Sequence, residues 1–173
     1  QEPECTPTEI ERLLRTPSPE RIMAVRTAML AGRSDDDIYA LSKIDHWFLA
    51  KLRHLINIET KYLYGRKLDE LDQECLLSLK QLGYSDRQIA WATGSEELAV
   101  RARRELLDIK PVFKTVDTCA AEFSSTTPYH YSTYERPLYR LDSDDQLYKL
   151  EPETEVVTES RAKVMILGGG PNR

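Results

Sequence analysis

Apolar positions recur at helical spacing from the start of the chain to about Asp108, and then the pattern changes. Ser18 precedes Pro19 and Glu20, a cap followed by a proline, and Ile22, Met23, Val25, Met29 and Leu30 follow at helical spacing with Gly32 placed to end the helix. Ser34 is positioned to cap a short helix whose first turn carries Asp35, Asp36 and Asp37, where the helix dipole favours carboxylates. Asp45 precedes a longer stretch with Trp47, Phe48, Leu49, Leu52, Leu55 and Ile56 on one stripe. Asp69 or Asp72 opens the next helix, which carries Leu76, Leu79 and Leu82 and closes at Gly83.

From Gly83 the pattern returns. Gly32-Arg33-Ser34-Asp35 and Ile38 align without gaps on Gly83-Tyr84-Ser85-Asp86 and Ile89, an offset of 51 residues (Gly83 against Gly32). At that offset Arg53 meets Arg104, Leu55 meets Leu106, Ile58 meets Ile109, Ser42 meets Thr93 and Asp45 meets Glu96. The expectation is a duplicated helix-pair unit: glycine, cap, short helix, turn, longer helix.

After Asp108 the chain reads as extended. Lys110-Pro111 stops the helix, and Val112 to Tyr134 is rich in Ser and Thr, with Tyr129, Tyr131 and Tyr134 suited to lie on a surface. Arg136 to Arg161 is polar and acidic and reads as a loop or linker. Val164 to Leu167 is a continuous apolar run suited to a parallel strand buried on both faces, and Gly168, Gly169 and Gly170 form a turn whose backbone N–H groups can approach a ligand closely. A strand-to-loop half-motif at a terminus implies a piece of a larger protein.

Composition narrows the class. No run approaches the roughly 18 apolar residues of a membrane span, and Gln1-Glu2-Pro3-Glu4 has neither the basic nor the apolar region of a signal peptide. Three cysteines, Cys5, Cys75 and Cys119, without C-x-x-C spacing imply reduced thiols and a cytoplasmic setting, an organelle remaining open for a larger parent. A net charge of −5 disfavours a general polyanion binder.

Candidate chemistry is sparse. Ser85 to Leu107 has the outline of a helix-turn-helix, with Gly94-Ser95 as the turn and Arg101, Arg103 and Arg104 available to nucleic acid, or else a helical hairpin with solvated arginines. His46, His54 and His130 lack the partners of a metal set. Cys119, beside Asp117 and Glu122, lacks a neighbouring histidine and reads as a packed thiol before a nucleophile. Gly168 to Gly170 matches neither G-x-G-x-x-G nor the phosphate-binding loop, and is a weak substrate-side candidate only. No catalytic residue and no metal site is assigned. Trp91, Trp47 and Phe48 are the candidate interface residues; Trp91 stands where the other copy has Ala40, and core positions seldom tolerate such a change of volume.

Several strings resemble one family. They are Val116-Asp117-Thr118-Cys119-Ala120-Ala121-Glu122-Phe123, Tyr131-Ser132-Thr133-Tyr134-Glu135 and Leu167-Gly168-Gly169-Gly170-Pro171-Asn172-Arg173, preceded by Asp45-x-Trp47-Phe48-Leu49, Gly83-Tyr84-Ser85-Asp86 and Lys110-Pro111-Val112-Phe113-Lys114. Together they resemble the large chain of carbamoyl-phosphate synthase over nearly the whole length, in the family's order. The resemblance implies two ATP-grasp synthetase halves with a helical oligomerisation domain between them. It implies a parent that makes carbamoyl phosphate from bicarbonate, glutamine-derived ammonia and two ATP, with Mg or Mn, for arginine and pyrimidine synthesis. The implied partners are a second copy of the chain, the two synthetase halves and the small glutamine amidotransferase subunit, with no nucleic acid and no membrane. No nucleotide-binding residue of the family falls in this window, so none is carried over, and the stretch from Arg136 to Arg161 is longer than the family's connector.

The expected fold class is therefore all-α: a helical oligomerisation domain over residues 1–109, an extended connector over 110–161, and over 162–173 the first strand and glycine loop of a truncated α/β domain. The helical part carries no cofactor in this reading. A DNA-binding module over Ser85 to Leu107 is the alternative, and a redox or nucleotide enzyme using Cys119 or the glycine loop a third.

Overall fold

The computed structural model describes residues 6–125, 127 and 129–168. The chain divides into two compact units, Gln1–Ile109 and Lys110–Arg173. The first contains seven α-helices: α1 Pro7–Arg15, α2 Arg21–Leu30, α3 Asp35–Ser42, α4 His46–Tyr62, α5 Gln73–Gln81, α6 Asp86–Thr93 and α7 Glu97–Leu106, with a 3-10 turn at Leu68–Glu70 before α5.

Local chemistry sets most of these boundaries. Asp45 caps α4 at the Trp47 N–H, and Asp72, not Asp69, caps α5. Ser34 and Ser85 each accept a hydrogen bond from the backbone three residues on, and Asp37 and Gln88 return it, so α3 and α6 both begin with a capping box. The turn after α2 closes with Arg33 N–H on the Ala28 carbonyl, and that after α5 with Tyr84 N–H on the Leu79 carbonyl. Gly32 and Gly83 stand at φ +82° and +90° there. The start of α2 falls later than Ser18 suggests. The Ser18 carbonyl accepts from Arg21, so Ser18 and Pro19 form the turn that leads into the helix.

Burial follows the helical stripes. Ile10 and Leu14 of α1, Val25, Ala28 and Met29 of α2, Ile38 of α3, and Leu49 and Ile56 of α4 form one core, with Leu13, Leu41, Ile44 and Leu52 packed against it. Within α5 to α7, Leu76, Leu79, Ile89 and Val100 are fully buried. Ile38 and Ile89, 51 residues apart, are both at 0% exposure. Helices α1 to α4 pack on one another and α6 packs on α7. Trp47 and Phe48 depart from the expected stripe: they face solvent, and α4 turns Leu49 and Ile56 inward instead.

The second unit is not all linker. β1 (Val112–Thr115) pairs antiparallel with β2 (His130–Thr133), and β3 (Leu138–Leu141) with β4 (Leu147–Leu150). Beyond β2, the Glu155 N–H reaches the Phe113 carbonyl and the Glu155 carboxylate accepts from the Thr115 N–H, so the other edge of β1 is covered as well. The expected loop from Arg136 to Arg161 thus contains a hairpin. Asp142 closes it by accepting from the Asp144 and Gln146 N–H groups, with Asp145 at φ +57°. The expected strand at Val164 to Leu167 is unpaired: those four side chains are 84–91% exposed, and a strand buried on both faces needs neighbours that the described residues do not provide. Gly169, Gly170, Pro171, Asn172 and Arg173 lie outside the described residues.

Candidate functional site

The helical unit carries a groove of about 460 Å³. Ile22 and Met23 of α2 and Leu52 and Leu55 of α4 form one wall; Tyr84, Gln88 and Trp91, from the α5–α6 turn and α6, form the other. It therefore runs along the seam where α5 to α7 meet α2 and α4. Across that seam the Tyr84 hydroxyl donates to the Leu55 carbonyl at 3.0 Å.

One end of the groove is polar and internally satisfied. Arg26 donates to both Glu59 oxygens at 3.3 Å and to the Tyr64 hydroxyl at 2.9 Å, and Tyr64 donates to Glu59 at 3.2 Å. Burial, reinforced by the Glu59 charge, pushes both the Tyr64 and the Tyr84 phenols up, so they remain protonated donors at neutral pH. The rim is apolar: Trp91 is 75% exposed, with Ile22 and Met23 more than half exposed beside it.

Trp47 and Phe48 form a second exposed apolar feature at the start of α4. Their rings meet edge to face at 5.0 Å, and Lys51 Nζ lies 5.3 Å from the indole centre. They do not line the groove.

The arginines of the helix-turn-helix reading are committed within the protein. Arg104 makes a bidentate pair with Asp86 at 2.5–3.0 Å and also reaches the Ile109 carbonyl. Arg103 donates to the carbonyls of Asp69 and Leu71, and Arg101 pairs with Glu105. A recognition helix needs such side chains pointing outward, toward a groove of DNA; two of these three fasten α7 to its own neighbours. Sequence reasoning missed this use, although Asp86 and Arg104 repeat the spacing of Asp35 and Arg53, which also pair, at 2.6 Å.

The other candidates are dispersed. His46 pairs with Asp36 at 2.9 Å and stacks near Tyr39, and His130 Nδ1 lies 3.5 Å from Thr115 Oγ1. Among the described residues no cluster of three metal-ligating side chains occurs. Cys119 is half-buried in a turn organised by Asp117, whose carboxylate accepts from the Cys119 and Ala121 N–H groups at 2.9 and 2.7 Å. Ala120 and Ala121 both take left-handed backbone there, at φ +50° and +60°. No helix of the described residues is long and apolar enough to cross a membrane.

A helical unit fastened internally by ion pairs, with its largest aromatic side chains outside, has the architecture of an association module. A family model for the carbamoyl-phosphate synthetase large chain, oligomerisation domain, matches residues 1–108, and the chain belongs to that family. It is 50% identical over 165 residues to the carbamoyl phosphate synthase large chain of Nostoc sp., covering 95% of this chain and 13% of that one. Similarity extends to the arginine-specific, chloroplastic large chain of Oryza sativa (44% over 160 residues, 92% of this chain and 12% of that one). The large chain of Archaeoglobus fulgidus is 42% identical over 173 residues, 98% of this chain and 15% of that one. The chain thus spans about an eighth of the length of the curated relatives it matches.

Proposed function

We propose that this chain is the self-association module and connector of a carbamoyl-phosphate synthase large chain, and that it contributes contacts, not chemistry, to its parent. The parent forms carbamoyl phosphate from bicarbonate, glutamine-derived ammonia and two ATP, with Mg or Mn. Residues 1–109 are the oligomerisation domain, 110–161 the connector, and 162–173 the opening segment of the following synthetase half. The connector and the final strand are completed by those halves, and the small amidotransferase subunit joins the same complex. The setting is cytoplasmic or, as in the chloroplastic relatives, an organelle. The observation that carries the reading is the family match over 1–108, joined by the exposure of Trp91, Trp47 and Phe48, the proposed contacts.

The helical unit is further read as a duplication, α2 to α4 matched by α5 to α7. Equivalent positions support it: the two capping boxes at Ser34 and Ser85, the pairs Asp35–Arg53 and Asp86–Arg104, and left-handed Lys43 and Gly94 at φ +60° and +64°. Trp91 and Ala40, both exposed, fall at one position of that unit.

Light scattering over a concentration series tests the association. A mass that rises above the monomer is expected; a monomer at every concentration would refute the reading. In parallel, carbamoyl phosphate should form only with the full-length large chain, and the chain alone should turn over no ATP.

A further inference from the structure

We infer that the groove along the seam receives Trp91 from a second copy of the chain, in a two-fold-symmetric contact. The inference rests on the self-association proposed above and names its surface. Knob and hole lie on the same patch: Trp91 stands on the rim, 75% exposed, and the hollow beside it, about 460 Å³, is walled by Met23, Leu52 and Leu55. A patch that carries both halves of a contact is self-complementary, the condition for an isologous interface.

The chemistry of the groove fits an indole and not a charged guest. Arg26, Glu59 and Tyr64 bond to one another at one end of the groove, and Tyr84 is bonded to Leu55, so these polar groups are already engaged. What remains is aliphatic surface with Ile22 and Met23 exposed at 55% and 54%. Tryptophan is the side chain most enriched among residues that dominate association energy, and it acts from desolvated pockets of this kind. The location adds a reason for a partner. Among the described residues, α1 to α4 pack together and α6 packs on α7, and these packings are more extensive than any between α2 or α4 and α6. An indole inserted there touches α2 and α4 on one side and α6 on the other, joining parts that meet only slightly by themselves.

Sedimentation velocity across a concentration series tests this on the 173-residue chain. Trp91→Ala removes the knob and Met23→Arg obstructs the hole. Each should weaken association at least about tenfold. An equimolar mixture should associate more strongly than either variant alone, because Trp91 of the Met23→Arg chain can pack on the Met23, Leu52 and Leu55 wall that the Trp91→Ala chain retains. Monomer at all concentrations for the unmodified chain overturns self-association itself. Association that neither variant weakens, or that mixing does not restore, overturns the groove assignment while self-association stands. Far-UV circular dichroism checks each variant. Should either lose helix, the Trp47→Phe chain supplies the answer. Its remaining tryptophan emission should shift to shorter wavelength as the mass rises, and emission that stays constant while the chain associates overturns the proposal.

Discussion

Replacing Asp86 by alanine should destabilise the helical unit more than replacing Asp35, although the two residues occupy matching places 51 positions apart. Asp86 accepts from Arg104 Nε at 2.9 Å, from Arg104 Nη2 at 2.5 Å and from Lys80 Nζ at 2.8 Å. The side chains of Lys80, Arg104 and Asp86 are only 8, 12 and 13% exposed. Removing the anion leaves two cations in a site largely closed to water, and breaking a buried pair in this way costs about 3–5 kcal/mol. Asp35 and Arg53 are 27% and 28% exposed, and water takes over part of the lost interaction, so Asp35→Ala should cost about 1–2 kcal/mol. Urea unfolding followed by circular dichroism measures both. Adding Arg104→Ala to Asp86→Ala should cost far less than the sum of the single changes, since the second removes a charge the first has stranded. Burial works against the Asp86 carboxylate, but hydrogen bonds from Arg104 and Lys80 outweigh it and hold its pKa below the usual value. Its contribution is therefore complete above the unfolded pKa of about 3.9 and is lost as the pH falls through the lower folded value. The stability gap between the unmodified chain and Asp86→Asn should close only in that acid window. Equal costs at Asp35 and Asp86, or a gap that is constant from neutral pH into strong acid, would refute the reasoning.

Ile38→Ala and Ile89→Ala, both fully buried, should each cost about 2–5 kcal/mol by the same unfolding measurement; a cost below that range at either residue contradicts its place in a packed core. Lys43 closes α3 in left-handed backbone where Gly94 closes α6, so Lys43→Gly should stabilise by roughly 0.5–1 kcal/mol and Gly94→Ala destabilise by about 1 kcal/mol. Opposite signs in thermal melts bear this out, and equal signs argue against it. Trypsin should cut first at Arg161 or Lys163, in exposed chain without strand pairing, and later at Arg140 or Lys149 within the hairpin.

What the sequence made legible was chemistry that acts within a few residues. Ser34, Ser85, Asp45 and Asp72 announce helix starts because a cap needs only its own next turn. Gly32 and Gly83 announce the stops for the same reason. The resemblance carried by the string around Asp117 was legible because its order of residues is specific. What stayed hidden depends on distant partners. Trp47 and Phe48 share the apolar character of Leu49, and only the packing of α1 to α3 on α4 decides which of them turns inward. Arg103 and Arg104 look free along the sequence, yet their acceptors lie 32 and 18 residues away. The β3–β4 hairpin was within reach: Leu138 to Leu141 and Leu147 to Leu150 flank an Asp- and Ser-rich turn, a signal outweighed by the acidity of the surrounding stretch.

Val164 to Leu167, exposed and unpaired, also has a bearing on how the chain behaves in concentrated solution. Four consecutive apolar residues, exposed and in no strand pairing among the described residues, form a short template on which a like segment of another molecule can align, the first step toward cross-β stacking. Arg161 and Lys163 stand immediately before it, and like charges repel when such segments come into register. They act as gatekeepers. Neutralising both would leave the helices untouched and the folded unit no less stable, yet it would turn a tolerated hydrophobic stretch into a nucleus for aggregation.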